Sequence, residues 1–362
     1  MVASAALIPA EQALFASYSS VLGGAERILL DHAGAVDGAV IACPEGPLAE
    51  AARGLGLPHA PLRERGIELY GSARARVTAP ARLAGHAREI GALVRRLRPR
   101  VLVAWGMRSL PACAALPGGP PLVFAHNDLL PSGAGAAVVR AAARRAARVV
   151  CLSRAIAEDL DPRWRLGERI EVVHAGVDLE QFAPPSGPGA DALFLGALVE
   201  WKRPELALEA VARVPGLRLR VAGAPLDAAG EWLLVRMRGR AGHPDLAGRV
   251  RIEGGSVDPR SALRDAGCLL HCADREPYGL ALVEALACGV PVVAPDGGGP
   301  REIVDPTCGE LYPTGDAEAA AGALARVLAD PALRTGARRR AEERFDLAQA
   351  HRRFNAVLEG VA

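Results

Sequence analysis

Arg275-Glu276-Pro277-Tyr278-Gly279-Leu280-Ala281-Leu282-Val283-Glu284-Ala285-Leu286-Ala287-Cys288-Gly289-Val290-Pro291-Val292-Val293 decides how this chain folds. The apolar run Cys268–Cys272 just before it reads as a strand. Pro277 and Gly279 keep Glu276 out of the helix that follows, which starts near Leu280 and runs to Cys288. Gly289-Val290-Pro291 breaks that helix, and Pro291–Ala294 reads as the next strand. A continuously apolar strand, a loop, a helix and another apolar strand make the unit of a parallel sheet covered on both faces. The apolar stretch Gly279–Pro295 carries Glu284 and a break at Gly289, so it is too interrupted to span a membrane.

The same alternation extends in both directions. Toward the N-terminus, candidate strands are Ala13–Ala16, Ala39–Ala42, Val101–Trp105, Leu122–Ala125, Val149–Leu152 and, more weakly, Glu171–Val173. Helical patterns such as Arg82–Leu97 and Gly135–Ala147 lie between them. The turn formers from Phe182 to Gly189 have no periodicity and mark a linker over 183–190. Beyond it, Ala192–Leu198, Leu217–Ala222 and Val250–Ile252 read as strands. Pro204–Val214, Ala228–Arg240 and a short segment near Ser261–Ala266 read as helices. From Asp316 to Val361 the pattern is mostly helical. The fold class is therefore α/β, with two Rossmann-like domains over 1–182 and 191–345 and a helical tail over 346–362. Open parallel sheets bind ligands at the carboxyl ends of their strands, which places the expected site in a cleft between the two sheets.

Composition narrows the function. The chain has 362 residues, 50% of them hydrophobic and 23% charged, which suits two globular domains and not a disordered chain. Lys+Arg is 43 against Asp+Glu 41, a balance that argues against nucleic acid as partner. Lys202 is the one lysine; every other cationic side chain is arginine, as a GC-rich coding bias produces. The seven cysteines are odd in number and form no Cys-x-x-Cys pair, so neither a disulfide framework nor a zinc site is indicated. No basic segment followed by a long apolar core opens the chain, and the expected location is cytoplasmic.

The decisive stretch also carries chemistry. The N–H groups at a helix start near Leu280 make an anion site suited to phosphate. Glu276 lies ahead of it, and Glu284 about one turn inside, ~6–8 Å along the axis. Carboxylates on either side of a phosphate-binding helix end can accept from the vicinal hydroxyls of two sugar rings. Lys202 and Arg203 follow the strand that carries Phe194-Leu195-Gly196, just before Pro204 opens a helix. Two cations at that strand end can neutralise a diphosphate. Gly23-Gly24 after the first strand lets backbone approach a ligand, but Gly-x-Gly-x-x-Gly is absent, which weakens a dinucleotide reading. His126-Asn127-Asp128 is a polar triplet at a strand end. Gly254-Gly255-Ser256-Val257 can let backbone approach a base, and Gly297-Gly298-Gly299-Pro300 reads as a flexible loop lining the cleft.

The Glu-x7-Glu pattern with Pro-Tyr-Gly inside it and Glu-Ala-Leu-Ala-Cys-Gly-Val-Pro-Val-Val after it resembles the retaining glycosyltransferases of family 4, which have the GT-B fold. The resemblance covers nearly the whole chain, including Gly23-Gly24-Ala25-Glu26-Arg27, His126, Ser153-Arg154-Ala155-Ile156, Gly176-Val177-Asp178 and Lys202-Arg203. It implies transfer of a hexose-type sugar from a nucleoside diphosphate sugar to an acceptor hydroxyl, without metal or other cofactor. It gives Lys202 and Arg203 the leaving diphosphate, Glu276 the transferred sugar and Glu284 the ribose. Gly23, Gly24, Gly196, Ser256, Val257, Tyr278, Gly279, Leu280 and Ala281 complete the donor contacts. His126 falls near the transferred sugar, Asn127 and Asp128 on the acceptor side, and the final helices back against the first domain. Ala197 departs from the pattern, since many members have an arginine there; Arg203 is the candidate to replace it.

Asp159-Leu160-Asp161 looks like the metal-binding Asp-x-Asp of another glycosyltransferase fold, but it lies at a helix end before Pro162, away from a strand terminus. Arg140, Arg144 and Arg148 repeat along one helix, with Arg145 beside them and a second cluster at Arg95, Arg96, Arg98 and Arg100. A basic face of this kind can make weak peripheral contact with the inner face of a membrane, but the low net charge favours an ordinary solvated helix. Two other functions fit a cleft between Rossmann-like halves: a sugar-nucleotide epimerase, and a non-catalytic sugar-nucleotide-binding partner protein. The base, the sugar and the acceptor are not encoded in any of these motifs.

Overall fold

The computed structural model describes residues 13–65, 73–187, 189–255 and 257–362, with the helix but not the side chains described over 73–79. The chain divides into two units. The first holds Met1–His174 and Ala350–Ala362, and the second holds Ala175–Gln349.

In the first unit the described strands are β1 (Ala13–Ala16), β2 (Ala39–Cys43), β3 (His59–Pro61), β4 (Val101–Trp105), β5 (Leu122–His126), β6 (Arg148–Cys151) and β7 (Ile170–Val172). They form one parallel sheet in the order β3-β2-β1-β4-β5-β6-β7. In the second unit, β8 (Asp191–Leu195), β9 (Leu219–Ala222), β10 (Val250–Ile252), β11 (Ala266–Leu270), β12 (Val292–Pro295) and β13 (Gly309–Tyr312) form a parallel sheet in the order β10-β9-β8-β11-β12-β13. The central strands are fully buried, which is why they read as unbroken apolar runs. In each sheet the chain winds to one side and then returns to the other side of its first strand. The reversal falls between β1 and β4 and between β8 and β11, the points where such sheets open a crevice.

Two edge strands are invisible to the apolar pattern. β3 is His-Ala-Pro, with a proline that only a sheet edge tolerates, and β13 is the half-polar Gly-Glu-Leu-Tyr. The boundary between units also differs from the linker expected at 183–190: residues 175–182 belong to the second unit. Val177 N–H donates to Phe345 O at 2.8 Å, and Leu347 N–H donates to Val177 O at 3.1 Å. Arg338 donates to the carbonyls of Leu179 and Phe182 at 3.2 and 3.1 Å. These bonds dock the segment before its turn formers begin.

The last helix, Leu347–Glu359, buries Ala350, Phe354, Val357 and Leu358, one stripe at helical spacing. Within the first unit, the Phe354 ring stacks on His32 at 4.3 Å and lies 6.1 Å from Phe15 and 6.3 Å from Trp105, centroid to centroid. Asn355 Nδ2 donates to Ala35 O at 2.9 Å. No helix among the described residues is long and apolar enough to cross a membrane.

Among the described residues, three histidines of this unit, His32, His86 and His126, are buried with their rings pushed down, His32 and His126 the furthest. Burial pushes the His32 ring down to about 3, with His351 adding to the shift, and burial alone does the same to His126. In the unfolded chain both titrate near 6.5. A depressed folded value means that the unfolded state takes up the proton first. The stabilisation is therefore complete above pH 6.5 and is lost as pH falls from 6.5 toward 3. Thermal melts should show the midpoint dropping between pH 6.5 and 5, by as much as about 2 kcal/mol per histidine at pH 5. A midpoint flat over that range would contradict the burial of both rings as neutral groups.

Candidate functional site

The crevice of the second unit is built by the loops after β8 and β11, adjacent strands. Gly196 leaves β8 with φ +153°, and its N–H donates to Ala222 O at 3.0 Å. The backbone after β9 comes so close that a Cβ on Gly223 would lie 1.8 Å from Gly196 O. Residues Glu200–Lys202 then form one 3-10 turn. Arg203 takes the left-handed conformation, φ 51°, which ends that turn so that Pro204 can open the helix Pro204–Ala212. A non-glycine residue in this region costs of order 1 kcal/mol and marks a constrained position.

Across the crevice, the loop after β11 answers residue by residue. Asp274 N–H donates to Trp201 O at 3.0 Å. Arg203 Nη1 meets both oxygens of Asp274, at 3.2 and 3.0 Å, in an exposed pair. Lys202 Nζ lies 2.8 Å from Glu276 Oε2, with both side chains largely buried. The same ammonium sits 4.5 Å from the Trp201 ring centroid, a cation–π contact. His271, buried in the segment after β11, brings Nε2 to 3.1 Å from that carboxylate oxygen.

Glu276 is 8% exposed. Burial pushes its carboxyl up, but the Lys202 ammonium and the His271 ring outweigh this and hold it down at about 2. The carboxylate is therefore charged throughout the neutral range, and it is a strong acceptor with room for few partners. Its backbone is clamped as well. Gly299 N–H donates to Glu276 O at 3.0 Å. A Cβ on Gly298 would lie 2.3 Å from Glu276 O, and one on Gly299 2.1 Å from Tyr278 O. The triple-glycine loop after β12 is thus pressed against the Glu276 loop rather than swinging over it. Arg301 is tied to Asp296 at 2.6 Å. Gly279, φ 110°, turns the chain into the helix Leu280–Ala287. The N–H groups of Leu280 and Ala281, half-buried at its first turn, have no intrahelical carbonyl to meet. Glu284, inside that helix, is 3% exposed.

Lys202, Arg203, Glu276, Gly196 and the start of the Leu280 helix thus come together at one strand edge. Tyr278 belongs to the scaffold: its ring is buried and its hydroxyl donates to Ala175 O at 2.6 Å. Val257 follows β10, two strands from β8, and Ser256 lies outside the described residues.

In the first unit, Gly23 precedes the helix Gly24–Gly34 in the crevice between β1 and β4. Its N–H donates to Glu26 Oε2 at 3.0 Å, and Trp105 Nε1–H donates to Ala25 O at 3.0 Å. His126 is the last residue of β5, fully buried, with its ring 4.8 Å from Phe124. Neither of its ring nitrogens has a hydrogen-bond partner among the described residues. Asn127 is half-buried beside it, and Asp128 Oδ1 accepts from Leu129 N–H at 2.7 Å. Asp159 and Asp161 accept from Leu130 N–H and Leu166 N–H, both at 2.6 Å. Among the described residues no group of three His, Cys, Asp or Glu side chains is placed to hold a metal ion.

Three contributors were missed by sequence reasoning: His271, Asp274 and Trp201. A polar residue at the end of an otherwise apolar strand run was the available signal for His271. Nothing in the spacing marks Asp274 as the partner of Arg203.

Comparison with known proteins gives a consistent picture. Residues 22–181 match the family described as Glycosyltransferase Family 4, and residues 180–344 match Glycosyl transferases group 1. The D-inositol 3-phosphate glycosyltransferase of Saccharomonospora viridis is 35% identical over 214 residues, 53% of this chain and 49% of that protein. The enzyme of the same name from Mycolicibacterium smegmatis is 36% identical over 163 residues, 40% of this chain and 36% of that protein. The chain spans half or less of these curated relatives. Among solved structures, Anabaena HepE in complex with UDP and glucose superposes with TM-score 0.83 at 21% identity, covering 96% of this chain and 99% of that one. Sucrose-phosphate synthase from Thermosynechococcus elongatus gives 0.80 at 18% identity, covering 97% and 98%. At these identities the structural likeness is one of fold.

Proposed function

Because this chain belongs to the family 4, group 1 glycosyltransferases and has their GT-B fold, we propose that it moves a hexose-type sugar from a nucleoside diphosphate sugar to an acceptor hydroxyl. The anomeric configuration is retained and no metal takes part. The observation that carries this reading is the Lys202–Glu276 pair at the reversal point of the second sheet. An ammonium and a carboxylate fixed by its backbone stand beside helix N–H groups that have no intrahelical carbonyl to meet.

On this reading the second unit holds the donor. The diphosphate lies against the first N–H groups of the Leu280 helix and draws on the Lys202 ammonium, which stabilises the charge that develops as the bond breaks. Glu276 then accepts from hydroxyls of the transferred sugar and Glu284 from the ribose. Arg203 supplies a second cation where the family pattern has an arginine at position 197, but it shares its charge with Asp274. The first unit brings the acceptor, with His126, Asn127 and Asp128 on that side. The bond from the anomeric carbon to the acceptor oxygen forms as its bond to phosphate oxygen breaks. The acceptor proton passes to the departing phosphate, so no protein nucleophile is needed. The reaction is placed in the cytoplasm.

UDP-glucose is the first donor to try, since Anabaena HepE binds UDP and glucose, and a polyol phosphate such as D-inositol 3-phosphate the first acceptor. In a donor panel, the true donor should raise the melting midpoint, by the equivalent of about 2.7 kcal/mol at one hundred times its Kd. Transfer to a hydroxyl acceptor should follow. Tight donor binding without transfer to any acceptor would instead support a non-catalytic sugar-nucleotide-binding partner, and an epimer formed from donor alone would support an epimerase. A panel with no shift at all would remove the donor site.

A further inference from the structure

The first unit carries a second concentration of charge that the proposed transfer does not use. Arg140, Arg144, Arg163, Arg165 and Arg169, with Asp161, line a hollow of about 470 Å³. It lies where the helices Ala134–Ala143 and Arg154–Leu160 end, ahead of β6 and β7. In a parallel sheet this is the amino edge, the opposite edge from Gly23 and His126.

Cations at helix C-termini are often only caps for the last carbonyls. Two of the five arginines fit that description. Arg140 donates to Leu160 O at 2.9 Å and Asp159 O at 2.7 Å, and Arg169 donates to Arg144 O at 2.9 Å. The other three do not. The side chains of Arg144, Arg163 and Arg165 make no hydrogen bond or ion pair among the described residues, and all three are exposed. The one carboxylate lining the hollow, Asp161, is buried with its Oδ2 accepting from Leu166 N–H at 2.6 Å. It fixes the loop rather than neutralising the arginines.

That loop is held in shape. Trp164 sits between Arg163 and Arg165 in the left-handed conformation, φ 51°, an unusual place for a bulky residue. Its N–H donates to Asp161 O at 2.9 Å, and Gly167 N–H donates to its carbonyl at 3.2 Å. Five guanidinium groups and one engaged carboxylate in a single hollow contrast with a net charge of only +2 over the whole chain. Guanidinium forks match phosphate oxygens bidentately, and a preformed site loses little freedom on binding. The volume lies within the range of small-ligand pockets, ~300–1,000 Å³.

We infer that this hollow binds a compact, multiply charged phosphate anion at a site separate from the donor crevice. The inference stands independently of the transferase reading. The same chemistry is offered by a soluble polyphosphate and by a phospholipid headgroup; we take the soluble anion as the ligand, and the vesicles below separate the two.

Calorimetric titration of the full chain with inorganic tripolyphosphate tests it. The wild type and Lys202→Ala should both bind, with affinity falling as salt rises. Arg144→Gln/Arg163→Gln/Arg165→Gln should bind at least about tenfold more weakly, since hydrogen bonds to charged groups are individually strong. Because these side chains have no internal partners, its melting midpoint should match the wild type. Arg163→Gln/Arg165→Gln serves as the milder variant. Equal affinity in the triple variant, or binding lost in Lys202→Ala alone, would overturn the site. Vesicles of phosphatidylglycerol, with phosphatidylcholine as control, separate the sources. Arginine-dependent retention on phosphatidylglycerol without tripolyphosphate binding would overturn the soluble anion in favour of the headgroup.

Discussion

Lys202→Ala is expected to lower kcat/KM for sugar transfer by about 10²–10³-fold, the usual cost of removing one group that meets developing charge. The loss has two origins, which the pH dependence separates. The departing diphosphate loses its ammonium, an effect present at every pH. Glu276 also loses the partner that holds its buried carboxyl at about 2. Without Lys202 the desolvation of that carboxyl is opposed mainly by His271, and its titration moves up. The acid limb of the rate profile should therefore shift to higher pH in the variant. In the wild type, the depressed carboxyl stabilises the fold above pH 4.5, and that contribution is lost as pH falls toward 2. Lys202→Arg is the sharper comparison. It keeps the charge but replaces a compact ammonium by a planar fork, in a space where Gly196 lies against the lysine stem, the Cβ position being 3.7 Å from Lys202 Cδ. Transfer should fall here too. Full activity in Lys202→Arg would return the chain's single lysine to coding chance, and wild-type activity in Lys202→Ala would remove the proposed leaving-group role.

Gly299→Ala should destabilise the second unit by about 3 kcal/mol or more and abolish transfer, although it adds one methyl group. The added Cβ would meet Tyr278 O at 2.1 Å and Tyr278 Cα at 2.5 Å. Both are backbone atoms, so no rotamer change relieves the clash. The loop after β12 must lift, breaking the Gly299 N–H bond to Glu276 O and releasing the carboxylate that it fixes. Gly297→Ala is the control from the same loop, because its Cβ finds only Thr314 Oγ1 at 3.6 Å, an ordinary contact. It should stay within about 1 kcal/mol of wild type. Urea midpoints and transfer rates of the two variants decide the matter; indistinguishable midpoints would mean that the clamp is not rigid.

The frame of the molecule was readable because buried parallel strands are apolar on both faces, so β1, β4 and β11 appear as unbroken runs between amphipathic helices. The same logic hid β3 and β13. An edge strand needs apolar residues on one side at most, and short segments with Pro61 or Glu310 carry no such signal. The donor-side residues were readable where chemistry conflicts with surroundings, as with Glu284 inside an apolar helix. Tyr278 was assigned to the ligand on the strength of its neighbours, but its hydroxyl is occupied by Ala175 O, 103 positions earlier in the chain. Asp274 and His271 became visible only when β8 and β11 were set side by side. Pairings between loops of two strands depend on sheet order, which local sequence does not carry.

The last helix has a consequence for how the molecule is made. The slot formed by Phe15, His32 and Trp105 is filled by Phe354. On the ribosome its walls are synthesised before its occupant, with the whole of residues 175–349 made between them. At about 5–20 residues per second, that interval is roughly 10–35 s. Throughout it the first unit stands with an unfilled aromatic groove, and at its end the second unit has every residue it needs while the first still lacks its last helix. Order of birth and order of completion are therefore reversed: the half that begins first must finish second. A stop codon anywhere ahead of Phe354 would strand the first unit in that unfinished state.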